Sequence, residues 1–346
     1  MSHAKGISRI SLGTARLELH PRTLWVGAAL VLLLLVGTLA QLASGTIRIP
    51  LPDILLTLLG ESSSNRNNLV VWELRAPRAV TGIAVGLALG AAGSVFQSVS
   101  RNALGSPDII GFTRGAAAGA VVQIVFFNAG PVATAVSAVL AGLLTALVVY
   151  ALARRGRTTG GSRLILVGIG VGAFLAAMNT LLLARADIDL ATKARVWLSG
   201  SLNARTWDDA VPVVIAVILL LPLLAYYSRG LDILEMGDDQ ALQLGINPEK
   251  VRRVVLVAGT VLTAASVAAA GPIAFVALAA PHITGDLVRH ARVHVVTSAL
   301  MGAVLLVAAD LLAIYIPVRL ATPVGLVTGT LGGAYLLWIL TRSRNV

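Results

Sequence analysis

Long apolar segments alternate with short polar ones along the whole chain. Ten of them approach the ~20 residues that an α-helix needs to cross the hydrocarbon of a bilayer. They lie at 24–43, 79–99, 112–129, 132–152, 164–183, 210–227, 254–270, 272–288, 293–316 and 323–340. The third begins near Arg114, and Pro272, Pro281 and His282 interrupt the eighth, so these two are the weakest. The pattern predicts an all-α membrane protein with ten transmembrane helices.

The composition supports the same class, because 57% of the 346 residues are apolar, 12% are charged and the mean hydropathy is +0.86. No polar stretch is long enough to fold as a soluble domain. We therefore expect one membrane domain at 24–340, between a cytoplasmic N-terminal segment at 1–23 and a cytoplasmic tail at 341–346. The first apolar run follows a basic leader but is too long for a signal peptide, which favours a retained first helix.

Basic residues favour both termini on the cytoplasmic side of a bacterial inner membrane. With that orientation, the inner segments hold 18 of the 27 Lys and Arg residues, and the outer segments hold 9. This bias follows the positive-inside rule. The net charge of +11 is spread over alternating loops, which points to lipid headgroups and topology and away from nucleic acid. Spans 2–5 and 7–10 have opposite orientations, an arrangement that permits an inverted repeat of four plus four helices.

One cytoplasmic loop, at 230–250, stands out among the polar segments. Gly237 and Asp238 provide an N-cap signal, and Gly245 provides a stop signal, for a short helix. Asn247 then caps a second helix that has Pro248 at its first position. A short surface helix bearing leucines suits docking of a cytoplasmic partner, although the same signals also fit a connecting loop that binds nothing.

Other polar features are harder to assign. On the outer face, Arg75 and Arg78 flank Pro77 before the second span, where they could pair with carboxylates of a partner or extend to the lipid headgroups. On the inner face, Ser106, Pro107 and Asp108 give a helix-start signal for the third span.

Chemistry-bearing groups inside the spans are scarce. Asp310 is the only carboxylate well inside a predicted helix, and it is either functional or satisfied by nearby polar groups. His282 is more suited to binding a loop carbonyl than a metal. Cysteine is absent, and neither an HExxH pattern nor a P-loop occurs, so we expect no catalytic residue, no metal site and no bound cofactor. The scarcity of ionisable groups favours energy supplied by another subunit over an ion-coupled carrier.

Several motifs together resemble one family. They are LRAPRAVTGIAVGLALGAAGSVFQSVSRNALGSPDIIGF, GDDQALQLGI, AGPIAFVALAAPHI, AADLLA and PVGLVTGTLGGAYLLWIL, in that order from about residue 74 to residue 340. This order and spacing is similar to the permeases of iron-siderophore and vitamin B12 ABC importers. SLN at 201–203, LEMGDD and SPDIIGF most resemble the second permease subunit of ferric-enterobactin importers.

The resemblance implies a type II ABC importer permease fold that works by alternating access. The implied partners are a second permease subunit, expected to form a heterodimer with this chain, two ABC ATPases that bind ATP and Mg, and an extracytoplasmic siderophore-binding protein. The implied substrate is a ferric siderophore, with vitamin B12 or haem as alternatives. A secondary carrier driven by an ion gradient is the alternative from another class.

The resemblance also assigns residues to three roles. The ATPase-coupling element would comprise Gly237, Asp238, Asp239, Ala241, Leu242, Leu244 and Gly245. The binding protein would dock on Arg75 and Arg78, and on Arg319 as a substitute for a third arginine that the B12 permease carries where this chain has Ile314. The translocation path would be lined by Asn179, Thr180, Pro323 and Thr328. Ala103 replaces a usual proline, so a less rigid turn is expected there.

Overall fold

A computed structural model describes the chain except for residues 1–7, 13–14, 46, 62–63, 156–157, 160, 291, 317–321 and 343–346. Within the described residues the chain forms fourteen α-helices. They are α1 Pro21–Ala43, α2 Leu51–Leu58, α3 Asn65–Asn68, α4 Ala76–Ser100, α5 Phe112–Val122, α6 Pro131–Ala153, α7 Gly161–Arg185, α8 Ile188–Leu198, α9 Trp207–Met236, α10 Asp238–Gln243, α11 Pro248–Ala270, α12 Val276–Val288, α13 Val295–Tyr315 and α14 Val324–Arg342.

The π-helical segment Leu69–Arg75 leads directly into α4, and a second π-helical segment, Gln123–Phe127, follows directly after α5. Two small antiparallel hairpins accompany the helices. The first pairs β1 Ser8–Leu12 with β2 Ala15–Leu19, and the second pairs β3 Arg154–Arg155 with β4 Thr158–Thr159. The hairpins fall at polar segments, so the membrane domain itself is helical.

Ten apolar helical segments coincide with the ten predicted spans. Seven are long and apolar enough to cross a membrane: 21–43, 65–100, 131–153, 163–185, 207–236, 248–270 and 295–315. Three are shorter, at 112–127, 276–288 and 324–338. The all-α class is thus confirmed. The third and eighth predicted spans, which carry interrupting polar residues or prolines, form two of the short helices. Part of the third span is π-helix (Gln123–Phe127), and the first residues of the eighth span are not helical.

Polar contacts sort the ends of the helices into two groups. At one end, called the α10 end, Arg101 contacts Leu234 and Asp238, and Val293 contacts Asp232. At the other, called the α2 end, Arg75 contacts Leu42 near the end of α1 and Ile47 after it, and Trp207 donates to the carbonyl oxygen of Trp72 at 3.0 Å. Successive long helices alternate in direction between these ends. The side of the membrane that each end faces stays a prediction.

Helix α4 occupies the centre of the bundle and packs on α9, α11, α12 and α13. In its stretch 65–100, 83% of the most apolar window is buried, against 6% for α1, so α1 presents most of its leucines outward. Glycines let the central helices approach closely. A methyl group added to Gly90 or Gly93 would overlap the carbonyl oxygen of Ser298 or Ala277. Small residues therefore allow the backbones of the central helices to approach closely.

One predicted helix start is wrong. Ser106, Pro107 and Asp108 do not begin α5; instead 107–111 forms a turn in which the N–H of Phe112 donates to the carbonyl of Pro107 at 3.0 Å. The helix begins at Phe112, after Gly111 with a φ of 89°. The backbone of Gly111 packs against Gly168 of α7, where a side chain would not fit, so tertiary contact overrides the local start signal.

Candidate functional site

The predicted coupling element forms a short helix at the α10 end. Helix α9 ends at Met236, Gly237 turns the chain with a φ of 128°, and α10 follows without a linker. Gly245 ends the element with a φ of 77°, a conformation that glycine adopts without strain. The Oδ1 atom of Asn247 then accepts a hydrogen bond from the Lys250 amide at 3.0 Å, which confirms the predicted cap of α11.

The coupling element is buried on one side and exposes both leucines and polar side chains on the other. Ala241 is fully buried, whereas Leu242 and Leu244 are 59% and 62% exposed, and Met236 just before the turn is 64% exposed. Asp239 is also exposed. The element therefore offers the side chains of Leu242 and Leu244 between the spans 207–236 and 248–270, and Met236 at the end of α9 adds a third exposed apolar side chain.

Asp238 fixes the coupling element to its neighbours through charge, and it does not act as an N-cap. No side chain caps α10, and Asp238 lies at its first position. Its carboxylate accepts from Arg101 at 2.6 Å and from Arg252 at 3.0 Å. Arg252, only 3% exposed, also pairs with Glu249 at 2.6 Å. Sequence reasoning missed Arg101 and Arg252, because their side chains converge on Asp238 only after three helices have packed together.

The turn before α5 also lies beside the α10 end. Asp108 Oδ1 accepts a hydrogen bond from the Thr113 hydroxyl at 2.6 Å. Burial raises the pKa of the Asp108 carboxyl, while the Thr113 hydrogen bond and the charge of Arg114 oppose that rise. Asp108 thus closes the turn onto the first residues of α5 rather than starting the helix.

A histidine group at the α10 end had no signal in the sequence. The rings of His20 and His290 have centroids 4.0 Å apart, and those of His290 and His294 are 6.4 Å apart. Burial lowers the pKa of His290 and of His294, and the neighbouring Arg292 lowers both further. His20 is 270 positions away from His290 in the sequence, so no local pattern could predict that their rings meet. His282 lies elsewhere, with Nδ1 2.9 Å from the Tyr335 hydroxyl and not at a loop carbonyl.

The predicted docking arginines lie at the α2 end, where both make internal contacts. Arg78 Nη2 is 2.8 Å and Nε 3.0 Å from the Asp310 carboxylate, which is 1% exposed. Gln41 Nε2 donates to the same carboxylate at 2.8 Å. Asp310 is therefore satisfied by an arginine and an amide. The guanidinium of Arg75 donates to the carbonyl oxygens of Leu42 and Ile47.

A cavity of about 1260 Å³ opens beside these arginines. Arg48, Arg75 and Arg78 line it, together with polar groups such as Asn203 and Tyr315. Ile314, which stands where the B12 permease has an arginine, lines it too. Arg319, the predicted substitute, falls outside the described residues. The sequence did not predict a position for Arg48 at this cavity. Arg48 lies in the segment between α1 and α2, and the hydropathy pattern identifies that segment only as a loop between helices.

The residues predicted to line the translocation path do not form one cluster within this chain. Asn179 is buried, with no partner for its Oδ1 atom among the described residues, and Thr180 is exposed on α7 with its hydroxyl bonded to the Ala176 carbonyl at 3.0 Å. Pro323 is half-buried before α14, and Thr328 is buried. Helix α7 packs on α5 and α6, while α14 packs on α12 and α13. Their role as path residues stays a prediction.

Comparison with known proteins assigns the architecture. Residues 32–342 match the model of the FecCD transport family. The chain belongs to the FecCD transport family. The sequence resemblance to ABC importer permeases is thereby confirmed, and the bundle described above is the FecCD permease fold.

Individual relatives support the same membership. The chain is 43% identical over 307 residues to the ferric enterobactin transport system permease protein FepG of Escherichia coli (strain K12), covering 88% of this chain and 92% of that one. It is 35% identical to the iron(3+)-hydroxamate import system permease protein FhuG of Bacillus subtilis (strain 168), covering 93% and 98%. A solved inward-facing metal-chelate type ABC transporter matches with a TM-score of 0.82 and 26% identity, covering 92% of this chain and 99% of that one.

Proposed function

We propose that this chain is the permease subunit of an ATP-driven importer that moves a ferric siderophore across the bacterial inner membrane by alternating access. Family membership supports the importer class. The similarity to FepG and FhuG, whose names specify ferric enterobactin and iron(3+)-hydroxamate, favours an iron chelate over vitamin B12 or haem. The one structural observation that supports coupling to a partner is α10, a rigidly held surface helix with exposed leucines.

The proposed assembly contains a second permease subunit, two ABC ATPases and an extracytoplasmic binding protein. ATP and Mg would bind to the ATPases, and this chain would contribute no catalytic residue. In this scheme the ATPases dock on Gly237, Asp238, Asp239, Ala241, Leu242, Leu244 and Gly245. The α10 end then faces the cytoplasm, and the α2 end faces the binding protein.

The contacts of Asp238 explain how movement of the coupling element would reach the membrane domain. Asp238 pairs with Arg101 at the end of α4 and with Arg252 near the start of α11. Ala241 is buried, and Gly237 joins α10 directly to α9. A displacement of α10 would therefore move α4, α9 and α11 together, and α4 is the helix at the centre of the bundle. Such a concerted shift is what alternating access requires.

Replacing Leu242 and Leu244 with Asp tests the coupling assignment. If both leucines are buried under the ATPase, desolvating two carboxylates there costs several kcal/mol, so the ATPase should dissociate and import should stop. Both side chains are exposed within this chain, so its folding and insertion should be unchanged. The measurements are ATPase recovery after affinity purification of the permease, and uptake of an iron-55 siderophore.

Leu59→Asp provides the matched control. Leu59 is 74% exposed and lies at the end of α2, at the opposite end of the bundle, so this variant should retain its ATPase. Wild-type ATPase recovery and uptake in the double variant would refute the coupling assignment. Uptake driven by an ion gradient in ATP-free vesicles would instead establish the secondary-carrier alternative.

A further inference from the structure

A groove between helices α9 and α11 opens on the outer surface of the bundle, toward the α10 end. Its volume is about 380 Å³. Leu220 and Leu223 line it from α9, and Val254, Val257 and Val261 line it from α11. Leu223 and Val257 are 36% and 62% exposed. Both helices are long and apolar enough to cross a membrane, so the apolar wall of this α9–α11 groove lies at the depth of the acyl chains.

Two basic side chains stand at one end of the α9–α11 groove. Lys250 and Arg253 lie in the first two turns of α11, and both line the groove. Both are exposed. Neither Asp nor Glu is among the described residues that line it. An apolar groove that ends in two positive charges complements an amphiphile with an anionic head group.

These two cations have donors that the chain does not use. The Lys250 ammonium makes no hydrogen bond or ion pair with any residue that the structure describes. Arg253 donates through Nε to the Glu249 carbonyl at 3.3 Å, and its Nη atoms have no partner among the described residues. The neighbouring Glu249 carboxylate accepts from Arg252 at 2.6 Å and from the Tyr150 hydroxyl at 3.2 Å. Lys250 and Arg253 can therefore bind an external anion without breaking an internal ion pair.

The length of the groove matches one leaflet of a bilayer. Lys250 and Val261 are eleven positions apart on α11, which corresponds to roughly 16 Å along the helix axis. Half of the ~30 Å hydrocarbon thickness is roughly 15 Å. Val254 and Val257 lie on the same face of the helix between them. A head group at the two cations would thus leave an acyl chain lying along the valines.

We propose that the α9–α11 groove binds one anionic glycerophospholipid of the leaflet at the α10 end. Its phosphate would contact Lys250 and Arg253, and an acyl chain would pack on the valines of α11. A zwitterionic lipid fits less well, because its ammonium would approach two cations where no acid lines the groove.

The position of this groove gives the lipid a role beside the coupling element. Helix α10 connects α9 to α11 and packs on both. A lipid that bridges α9 and α11 would hold together the two helices on which α10 is mounted. The inference requires only that the chain spans a membrane, so it can fail or succeed independently of the importer function, which ATPase recovery tests.

Lipid titration of the delipidated, full-length permease in a neutral detergent tests the charged end of the site. Native mass spectrometry measures binding of phosphatidylglycerol and of phosphatidylethanolamine with the same acyl chains. The wild type should bind phosphatidylglycerol at least about 5-fold more tightly. Lys250→Gln with Arg253→Gln should weaken that binding by about 10-fold or more and abolish the preference. The charge-matched control is Arg229→Gln with Arg289→Gln, two exposed arginines that do not line the groove, and it should change the affinity less than about 2-fold.

A second pair of variants tests the apolar part without changing the charge. Val257→Trp places an indole where the acyl chain would lie and should also weaken phosphatidylglycerol binding by about 10-fold. Val257 is exposed, so the thermal midpoint without lipid should stay that of the wild type. Ile218→Trp is the control and should bind like the wild type, since Ile218 is 64% exposed on α9 but does not line the groove.

Several results would overturn the inference. Equal affinity of the wild type for the two lipids would do so, and so would equal losses in the two double arginine and lysine variants, which would indicate nonspecific attraction. If glycerol 3-phosphate raised the thermal midpoint as much as the lipid does, the site would bind a free phosphate. If Lys250→Gln with Arg253→Gln lost a co-purifying subunit but kept its lipid affinity, the two cations would belong to a protein contact.

Discussion

Arg78 and Asp310 form an ion pair in which the two partners are unequally buried. The Arg78 side chain is 25% exposed, whereas that of Asp310 is 1% exposed. Removing one member of a buried pair leaves an uncompensated charge, and the penalty depends on how deeply that charge lies. The two single substitutions should therefore differ in effect, even though they break the same contact.

We expect Arg78→Gln to lower the stability of the permease by about 2–4 kcal/mol and Asp310→Asn by about half as much. Arg78→Gln leaves a buried carboxylate whose remaining donor among the described residues is Gln41, while Asp310→Asn leaves a guanidinium that can reach the cavity. Thermal unfolding in detergent measures both, with Arg48→Gln as a control that should be neutral. Equal losses from the two single variants would contradict this account.

The double variant Arg78→Gln with Asp310→Asn should cost less than the sum of the single ones, since neither charge remains unpaired. Arg78→Glu would place a second carboxylate beside Asp310 and should misfold. A charge reversal at Arg78 therefore perturbs folding, so a loss of docking in that variant could not be assigned to a lost contact with a partner.

Sequence reasoning could identify these residues but not their partners. Asp310 was recognised as an acid within a span, and Arg78 as a basic group at a helix start. They are 232 positions apart, and hydropathy contains no information about which helices meet. By contrast, the Asn247–Pro248 cap was predictable, because its hydrogen bond to Lys250 spans only three residues.

At the scale of elements, histidines from two distant parts of the chain gather at the connection between α12 and α13. The ring of His290 lies against those of His20 and His294, and Asp232 Oδ1 accepts a hydrogen bond from the amide of Val293 at 2.6 Å. The lowered pKa values of His290 and His294 mean that the folded protein resists protonating them. The unfolded chain takes up protons at the ordinary pKa of about 6.5, so stability falls as the pH drops below that value.

We therefore expect the thermal midpoint in detergent to fall between about pH 7.5 and pH 5.5, and the fall to be smaller in His290→Gln with His294→Gln. Above about pH 7.5 the wild type and the double variant should have the same pH dependence, because the histidines are neutral in both states. His282→Gln is the control, since His282 lies apart from this group against Tyr335. An unchanged pH dependence in the double variant would exclude the histidines as its cause.

Element positions were predicted well, and element ends less well. Each predicted span overlaps a helix because twenty apolar residues in succession leave few alternatives in lipid. The π-helical segment Leu69–Arg75 extends the second span by backbone geometry, which hydropathy does not encode. Helix α5 begins at Phe112, the first residue of the predicted span, and the start signal at 106–108 is not used because Gly111 packs against α7, a contact that no local signal indicates.

For the whole molecule, the close packing of the central helices determines which glycines can be replaced by a larger residue. A methyl group at Gly90 would overlap the Ser298 carbonyl of α13, whereas Gly27 on α1 has no atom within 4 Å of an added methyl group. Both are glycines in the middle of apolar helices, so the sequence alone treats them alike. The structure separates them by their surroundings.

We expect Gly90→Ala to destabilise the fold by at least ~2 kcal/mol and to reduce the yield of folded permease, because α4 and α13 must separate. Gly27→Ala should be neutral or stabilising by up to ~1 kcal/mol, since alanine favours the helix. Folded yield after detergent extraction and the thermal midpoint measure both variants. Similar behaviour of the two would show that the packing of α4 is less tight than described.

The length of α9 has a mechanical consequence. Its 30 residues span about 45 Å, which is more than the ~30 Å thickness of the hydrocarbon core of a bilayer. At one end it meets α10 through Gly237, and at the other the indole of Trp207 is bonded to Trp72 in the π-helical segment before Arg75. A tilt of about 10° would swing one tip by ~8 Å relative to the other. One helix, with Pro212 and Pro222 inside it, thus connects the proposed ATPase-docking surface with the wall of the cavity at the α2 end.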